Sequence, residues 1–327
     1  MKTTRRQVLA TMAAAVAAPL PISQALASQT YPPGPVRVVV PFPPGGPTDV
    51  VGRVIAQRLS EAFKRPFVVE NKAGASGLIG ADAVAKAAPD GLTLLANVSA
   101  QVINPYLYAK LPHDPMKDFL PVTSLASTPI QLVVSSSLPV KSVQDLVNHV
   151  KARPGQCSFA SSSSGTPGHL AGELFRLASG IDALHAPYKG SAPALTDVMS
   201  GQVTFMFDSM PSSIGLVKGG KLRALGVTGT QRAASLPGVP TMVEAGYPDM
   251  TMTTWYGLWA PAKTPMEIAK QLQAEVSKAL AYPDVKALLA EVSADGMGDT
   301  PEVFAAFCRS ESERYARIIK TANIKLE

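Results

Sequence analysis

The sequence has few of the residues from which metal centres and disulfide frameworks are built. Two of its 327 residues are cysteine and four are histidine. It has no pair of cysteines with zinc-binding spacing, and no two histidines stand four residues apart. We therefore expect no metal and no cofactor. The histidines, at positions 113, 149, 169 and 185, are interpreted as surface or packing residues.

Long apolar runs are also missing. A membrane-spanning helix needs roughly 20 apolar residues, whereas the run at 12–22 is shorter and contains two prolines. It follows Arg5-Arg6 and precedes Ala25-Leu26-Ala27, an A-x-A cleavage signal. We predict that residues 1–27 are an export peptide cleaved after Ala27 and that the protein is periplasmic. The arginine pair resembles a twin-arginine signal, but Ala10 replaces a frequent lysine, so both export routes stay open.

Charged and aromatic side chains are scarce as well, at 17% and 6% of the chain. Without residues 1–27 the chain has 27 basic and 24 acidic residues, a net charge of +3. So small an excess, with no stripe of basic and aromatic residues, argues against a nucleic-acid partner. A small anionic ligand fits this diffuse positive charge at least as well.

The two cysteines, Cys157 and Cys308, would lie in an oxidising compartment, where a disulfide is possible. Cys308 shares a helical face with Phe304 and Tyr315, and Cys157 lies in a short apolar strand. Because an unpaired cysteine packs like a small apolar residue, the pattern favours two buried free thiols over a bridge.

Strands and helices alternate along the mature chain. The β-branched run at 36–40 precedes apolar residues at helical spacing from Val50 to Phe63, and the middle of the chain repeats this plan. Thr264 and Thr300, each followed by proline, are predicted to cap two late helices. Such alternation is typical of an α/β fold, whose ligands bind at the carboxyl ends of the strands.

The length fits two domains of about 150 residues each. We predict two α/β lobes, with lobe 1 formed by residues 28–125 and 228–327 and lobe 2 by residues 126–227. The chain then crosses between the lobes twice, which makes a hinge. The cleft between the lobes is the expected ligand site.

Three strand-to-helix junctions are rich in glycine and hydroxyl residues: Gly45-Gly46-Pro47-Thr48-Asp49, Gly74-Ala75-Ser76-Gly77, and residues 161–168, which read SSSSGTPG. Glycine lets a backbone approach a ligand closely, and free N–H groups at a helix start attract anions. Each junction also has an ordinary interpretation. These are a tight turn capped by Thr48 or Asp49, an N-cap at Ser76, and a flexible serine-rich linker. The three together favour an anion site.

Motifs for covalent chemistry are incomplete. No G-x-S-x-G sequence occurs. The glycines at 74, 77 and 80 do not follow the dinucleotide pattern, and the near phosphate loop at 215–221 is followed by Leu222 instead of serine or threonine. The sequence thus predicts a protein that is not an enzyme.

Several segments together resemble the periplasmic solute-binding proteins of tripartite tricarboxylate transporters, the TctC or Bug family. They are PFPPGGPTD, VVENKAGASGLIGADAVAKAAPDGLTLL, SSSSGTPGHLAGELF, PYKGSAPALTDVMSGQV, GKLRALGVTG, LPGVPTMVEAGY and WYGLWAPAKTP, and they extend over nearly the whole mature chain. The resemblance implies a two-lobe, type II periplasmic-binding-protein (Venus-flytrap) fold. Such a protein closes on a small carboxylate and delivers it to membrane permease subunits.

The resemblance also implies the residues that contact the ligand: Phe42, Gly45, Gly46, Thr48 and Asp49; Ser76 and Gly77; Ser163, Ser164, Gly165 and Thr166; and Asp208. Family members often have a Gly-x-Gly-Ser type of stretch after the paired serines. Here Pro167 follows instead and removes one N–H donor.

The ligand of such a protein could be a di- or tricarboxylate, an acidic amino acid or an aromatic acid. Four aromatic residues, Phe42, Tyr188, Trp255 and Tyr256, either line the pocket or belong to the core. Two alternative functions follow from other features. One is an exported hydrolase using Ser163 or Ser164 with His169, and the other is a ligand-sensing regulatory domain. If the protein is a solute-binding protein, we expect it to be a monomer.

Overall fold

The computed structural model describes residues 31–324, and the predicted export peptide lies outside these described residues. The strands are β1 Val36–Val40, β2 Phe67–Asn71, β3 Thr93–Val98, β4 Phe119–Ser135, β5 Ser158–Ser161, β6 Leu184–Pro187, β7 Phe205–Ser209, β8 Leu222–Val227, β9 Thr253–Pro261 and β10 Asp295–Gly296. The helices are α1 Pro47–Phe63, α2 Leu78–Ala85, α3 Ala100–Ile103, α4 Val143–Lys151, α5 Pro167–Ser179, α6 Ser191–Ser200, α7 Met210–Lys218, α8 Met266–Ala281, α9 Pro283–Glu291 and α10 Pro301–Thr321.

The strands form two groups that meet at β4. In the first group β1 pairs in parallel with β2 and β3, and β9 joins β3 to the first part of β4 by antiparallel pairing. In the second group β5 pairs in parallel with β6 and β7. The last part of β4 pairs antiparallel with β7 and β8. Each group thus contains parallel strands followed by helices, as the alternating sequence predicts.

β4 is one strand of 17 residues that serves both groups. Residues 119–129 pair with β9, and Ile130–Val134 pair with β7. The boundary predicted between residues 125 and 126 falls inside this strand, and the boundary predicted at 227/228 falls at the end of β8. The first predicted crossing is therefore a paired strand.

Two predicted helix caps are wrong at the first and second junctions. Helix α1 begins at Pro47 with Gly46 as its N-cap, so neither Thr48 nor Asp49 caps it. Residues Ala75–Gly77 form a short 3₁₀ turn and α2 begins only at Leu78, so Ser76 is not an N-cap either. The hydroxyl groups of Thr48 and Ser76 are therefore left for other contacts.

The predicted Thr-Pro caps have different outcomes. Thr300 caps α10, because its side chain accepts a hydrogen bond from the N–H of Val303. Helix α8 begins at Met266, with extended Pro265 in the N-cap position, so the prediction for Thr264 is wrong by one residue. The N–H of Thr264 instead donates to the carbonyl of Pro261, in a turn that ends β9.

Both cysteines are buried free thiols, as predicted. Cys308 packs in the largest apolar cluster with Phe304 and Tyr315, the residues that share its helical face. Burial raises the pKa of the Cys308 thiol to about 12. It therefore behaves as an inert core residue.

Within residues 31–324, no helix is both long enough and apolar enough to cross a bilayer.

Candidate functional site

Three helix starts converge on one cavity between the two groups of strands. The residues before and at the start of α1 form one wall, which consists of Phe42, Pro43, Pro44, Gly46, Pro47 and Thr48. The starts of α5 and α6 form the facing wall, with Thr166 to Gly168 from α5 and Gly190 to Pro193 from α6. The end of β7 closes the cavity with Phe207, Asp208 and Ser209. Because a helix start presents free N–H groups and a partial positive charge, this cavity suits an anion.

A second cavity adjoins the first and shares Phe42, Pro43 and Ser162 with it. It is lined by the Ala73–Gly77 turn on one side and by Ser163, Tyr188 and Lys189 on the other. The two cavities therefore form one continuous cleft. Of the aromatic residues considered for the pocket, Phe42 and Tyr188 line this cleft, whereas Trp255 and Tyr256 are core residues with 0% and 1% exposure.

The predicted ligand residues divide into two groups in this arrangement. Those that line one or both cavities are Phe42, Gly46, Thr48, Ser76, Gly77, Ser163, Thr166 and Asp208. The other four, Gly45, Asp49, Ser164 and Gly165, lie beside the cleft without lining either cavity.

Asp49 faces its own loop. One carboxylate oxygen accepts from the N–H of Gly45 (3.0 Å) and from Nε of Arg53 (2.8 Å). The other accepts from Nδ2 of Asn71 (2.8 Å), and that amide also donates to the carbonyl of Phe42 (3.0 Å). Burial alone would raise the pKa of Asp49, but hydrogen bonds from Arg53, Gly45 and Asn71 hold the pKa below its usual range. The ionised carboxylate therefore braces the loop.

The Ser76 turn joins the two sides of the cleft. Ala75, Ser76 and Gly77 all have positive φ values, of 46°, 55° and 88°. Left-handed backbone at a non-glycine residue costs of order 1–3 kcal/mol and is concentrated at functional sites. In this turn the hydroxyl of Ser76 contacts the hydroxyl of Ser163 across the cleft at 2.8 Å and accepts from the hydroxyl of Tyr108 at 2.6 Å.

Hydrogen bonds from backbone and hydroxyl groups hold the serine-rich loop in its conformation. Thr166 is the N-cap of α5, but its hydroxyl donates to the carbonyl of Ser163 at 2.7 Å. Pro167 occupies the first helical position, where a missing N–H leaves no intrahelical bond unmade. The N–H of Gly165 donates to Nδ1 of His169 at 3.2 Å. That amide therefore points beneath the loop.

The sequence predicts a helix over residues 191–200, as observed, but does not place the start of this helix, α6, in the ligand site. Gly190, with φ of +130°, packs against the first loop, since a Cβ added to it would lie 3.1 Å from Cγ of Pro43. Gly190-Ser191 follows a strand and opens a helix, which is the same signal that identified the other junctions. Its role in the cleft depends on contacts with residues some 150 positions away along the chain.

Asp208 holds the start of α6 in place. One of its oxygens accepts from the hydroxyl of Ser191 at 2.7 Å, and the other accepts from the hydroxyl of Ser212. Burial raises the pKa of Asp208 above its usual range, although the hydroxyl groups of Ser212 and Ser191 oppose this effect. Within the described part of the chain, the only charged side chains lining either cavity are Asp208 and exposed Lys189. An anion in the first cavity would therefore be bound by neutral donors.

The geometry does not favour the alternative hydrolase. The hydroxyl of Ser163 contacts Ser76, and the ring nitrogen of His169 that could act as a base accepts from the Gly165 amide. The other ring nitrogen lies 3.9 Å from a carboxylate oxygen of Glu173.

Two groups of strands with a cleft at the helix starts between them form the architecture of the class of periplasmic binding proteins, and the solved structure of the periplasmic binding protein BugD matches it with a TM-score of 0.87 at 33% identity. The chain belongs to one family of that class, since the family model for the tripartite tricarboxylate transporter family receptor, TctC, matches residues 51–324.

Relatives agree over nearly the whole chain. A UPF0065 protein in the tcbD-tcbE intergenic region of Pseudomonas sp. (strain P51) is 40% identical over 316 residues, covering 96% of this chain and 94% of that one. The structure of R. palustris Rpa4515 with adipate has a TM-score of 0.88 at 38% identity and covers 90% of this chain and 100% of that chain. MatC (Rpa3494) from Rhodopseudomonas palustris with bound malate has a TM-score of 0.83 at 33% identity, with coverage of 88% and 100%.

These similarities confirm the predicted family and the predicted two-lobe periplasmic-binding-protein fold. They also show that the protein is a periplasmic binding protein, because its family and its structural neighbours are substrate-binding proteins.

Proposed function

We propose that this protein captures a small carboxylate in the cleft and delivers it to the membrane permease subunits of a tripartite tricarboxylate transporter. The observation that carries the proposal is the convergence of the starts of α1, α5 and α6 on one cavity. Backbone N–H groups at these starts would bind the carboxylate, with Thr48 and Thr166 as hydroxyl contacts and Ser76 and Ser163 at the far end. Adipate and malate in two related structures support a carboxylate ligand.

The same proposal assigns different roles to the predicted residues. Those lining the cavities would contact the ligand or its bridging waters, whereas Asp49 would act by bracing Gly45 and the loop that carries Phe42. The protein would act as a monomer, with its lobes divided at 125/126 and 227/228. Residues 1–27 would be removed on export. The intact mass of protein recovered from the periplasm should therefore equal that of residues 28–327, which checks the cleavage site.

Calorimetry on residues 28–327 tests the ligand class. We expect at least one member of a panel of adipate, malate, citrate, glutamate and benzoate to bind. Adipamide, which has the shape of adipate without its charges, should not bind, because the helix starts favour an anion. If none of these acids and no further carboxylate binds, the proposed function is wrong.

Thr48 provides a test of the site itself. Thr48→Ala should weaken binding of the acid found above by about 1 kcal/mol, or about fivefold in Kd, the scale of one lost hydrogen bond. Thr48→Ser, which keeps the hydroxyl, is the matched control and should bind like the unmodified protein. Equal affinity of the alanine and serine variants would place the ligand elsewhere.

A further inference from the structure

Two histidines lie directly beneath the serine-rich loop, outside both cavities. His169 is in the first turn of α5 with 2% exposure, and His185 is in β6. Their rings are stacked, with centroids 4.1 Å apart and planes 21° apart. Interpreting these histidines as simple packing residues leaves their hydrogen bonds unexplained.

Each ring bonds to one end of the loop. Nε2 of His185 lies 2.7 Å from the hydroxyl of Ser161, where β5 ends. Nδ1 of His169 accepts from the N–H of Gly165, just before α5 begins. The stacked pair therefore spans residues 161–165, the segment that carries Ser163 to its contact with Ser76.

The Gly165 bond determines the proton position on His169. An amide N–H can donate only to a ring nitrogen with a free lone pair, so in the neutral ring the proton must be on Nε2. Nε2 faces Glu173, whose carboxylate is paired with Arg176 at 2.9 Å. Burial, with a smaller contribution from His185, lowers the pKa of His169 to about 3, and burial lowers the pKa of His185 to about 4.

This proton position also argues against a metal at the same place. One potential ligand atom from each of His169, Glu173 and His185 lies within 4.8 Å of the others. Coordination through Nε2 of His169 would displace its proton, and the ring could then hold a proton on Nδ1 only by losing the Gly165 bond. The observed contacts therefore fit a hydrogen-bonding role.

Gly165 is buried and closely surrounded. Its φ is +75°, and a Cβ added to it would lie 2.7 Å from Oδ1 of Asn104 and 3.2 Å from Leu107. The amide of Gly165 is consequently fixed in a buried position, where losing its acceptor leaves an unpaired donor.

We propose that uncharged His169 and His185 are positioning residues that hold the loop from Ser161 to Thr166 in its ligand-binding conformation. The inference rests on the proposed function for its effect on affinity. The hydrogen bonds themselves can be measured without a ligand.

Three substitutions of His169 distinguish the effect of its hydrogen-bond acceptor, Nδ1, from the effect of the size of its ring. In His169→Asn the side-chain oxygen can take the place of Nδ1, whereas in His169→Gln the amide reaches only as far as Nε2, and His169→Leu has no acceptor. We expect calorimetric Kd values for adipate within threefold of the unmodified protein for the asparagine variant and about tenfold weaker for the other two, the scale of one buried donor left unpaired. Thermal unfolding of each variant checks that it is folded.

Acid provides a readout of whether the folded histidine pair is uncharged. The groups facing His169 are Glu173 on its own helix, paired with Arg176, and His185 on β6. An unfolded histidine binds a proton below about pH 6.5, whereas the folded pair stays uncharged until about pH 4 for His185 and about pH 3 for His169. Stability should therefore fall as the pH drops below 6.5. At pH 5 the unmodified protein should take up about one more proton on unfolding than His169→Asn.

The proposal is overturned if folded glutamine and leucine variants bind adipate like the unmodified protein, or if the folded asparagine variant binds as weakly as the leucine variant. If adipate does not bind at all, nitrogen NMR of the unmodified protein still tests the hydrogen bond between Gly165 and His169. Nitrogen shifts at neutral pH should show His169 protonated on Nε2, and a proton on Nδ1, or stoichiometric Zn²⁺ binding lost in His169→Asn, would contradict the assignment.

Discussion

Gly168→Ala should reduce ligand affinity by about 100-fold, close to 3 kcal/mol, the upper end of the cost of overpacking a close-packed site. Gly168 is the second residue of α5, and a Cβ added to it would lie 2.3 Å from the carbonyl oxygen of Phe207. That oxygen belongs to the backbone of β7 and cannot rotate away. The helix start would have to move off the strand, carrying its N–H groups away from the cavity.

The matched control is Gly215→Ala in α7. Gly215 is also a helical glycine, but nothing lies within 4 Å of a Cβ added there. Alanine should be neutral or stabilise by up to about 1 kcal/mol, since it is the better helix former. Calorimetric affinity and urea unfolding of both variants make the comparison. Unchanged affinity in a folded Gly168→Ala protein would mean that α5 does not form a wall of the ligand site.

Asp208→Ala has the second large expected effect, about 2 kcal/mol or 30-fold in affinity, because a buried donor that loses its acceptor costs about 1–3 kcal/mol. Removing the carboxylate leaves the hydroxyl of Ser191 without its acceptor and frees the start of α6, while the hydroxyl of Ser212 keeps the carbonyl of Ser209 as an acceptor. Asp208→Asn keeps one acceptor and should lose less affinity.

Stability should respond to Asp208 differently from binding. Burial raises the pKa of this group, so folding disfavours its ionised form relative to the unfolded chain. Asp208→Asn should therefore be as stable as the unmodified protein, or more stable, above about pH 4, where the unfolded carboxyl is ionised. Glu311→Ala removes a buried carboxylate that lines neither cavity and accepts from Nε1 of Trp255 at 3.1 Å. The Glu311→Ala variant should have a lower free energy of unfolding and an unchanged ligand affinity. If Asp208→Ala also changes only stability, the proposed role of α6 is wrong.

Local patterns predicted much of the fold, and their failures share a cause. The 36–40 run is β1, and Thr300-Pro301 starts α10 as predicted. The similar Thr264-Pro265 does not cap α8, because this helix begins one residue later, at Met266, and Pro265 takes the N-cap position after the turn that ends β9. A capping motif thus predicts a helix start to within one residue, while the tertiary structure determines which residue takes the N-cap position.

The site divides in the same way. Glycine and hydroxyl residues at the junctions identified the loops near the ligand, because the helix-start chemistry is local. The direction in which each side chain points is set by distant partners. Asp49 faces Asn71, which is 22 positions away, and Ser161 contacts His185, which is 24 positions away. Nothing in the spacing of the sequence pairs these residues, so the bracing roles became visible only in three dimensions.

The continuous strand β4 sets a limit on how this protein can be divided by genetic engineering. A gene cut at codon 126 would divide β4 within its pairing with β9, leaving residues 119–125 on one fragment and β9, with the rest of β4, on the other. Each fragment would then expose an unpaired sheet edge, which promotes aggregation. Fluorescent sensors or split reporters built on this scaffold should therefore keep both lobes on one chain and place insertions in surface connections.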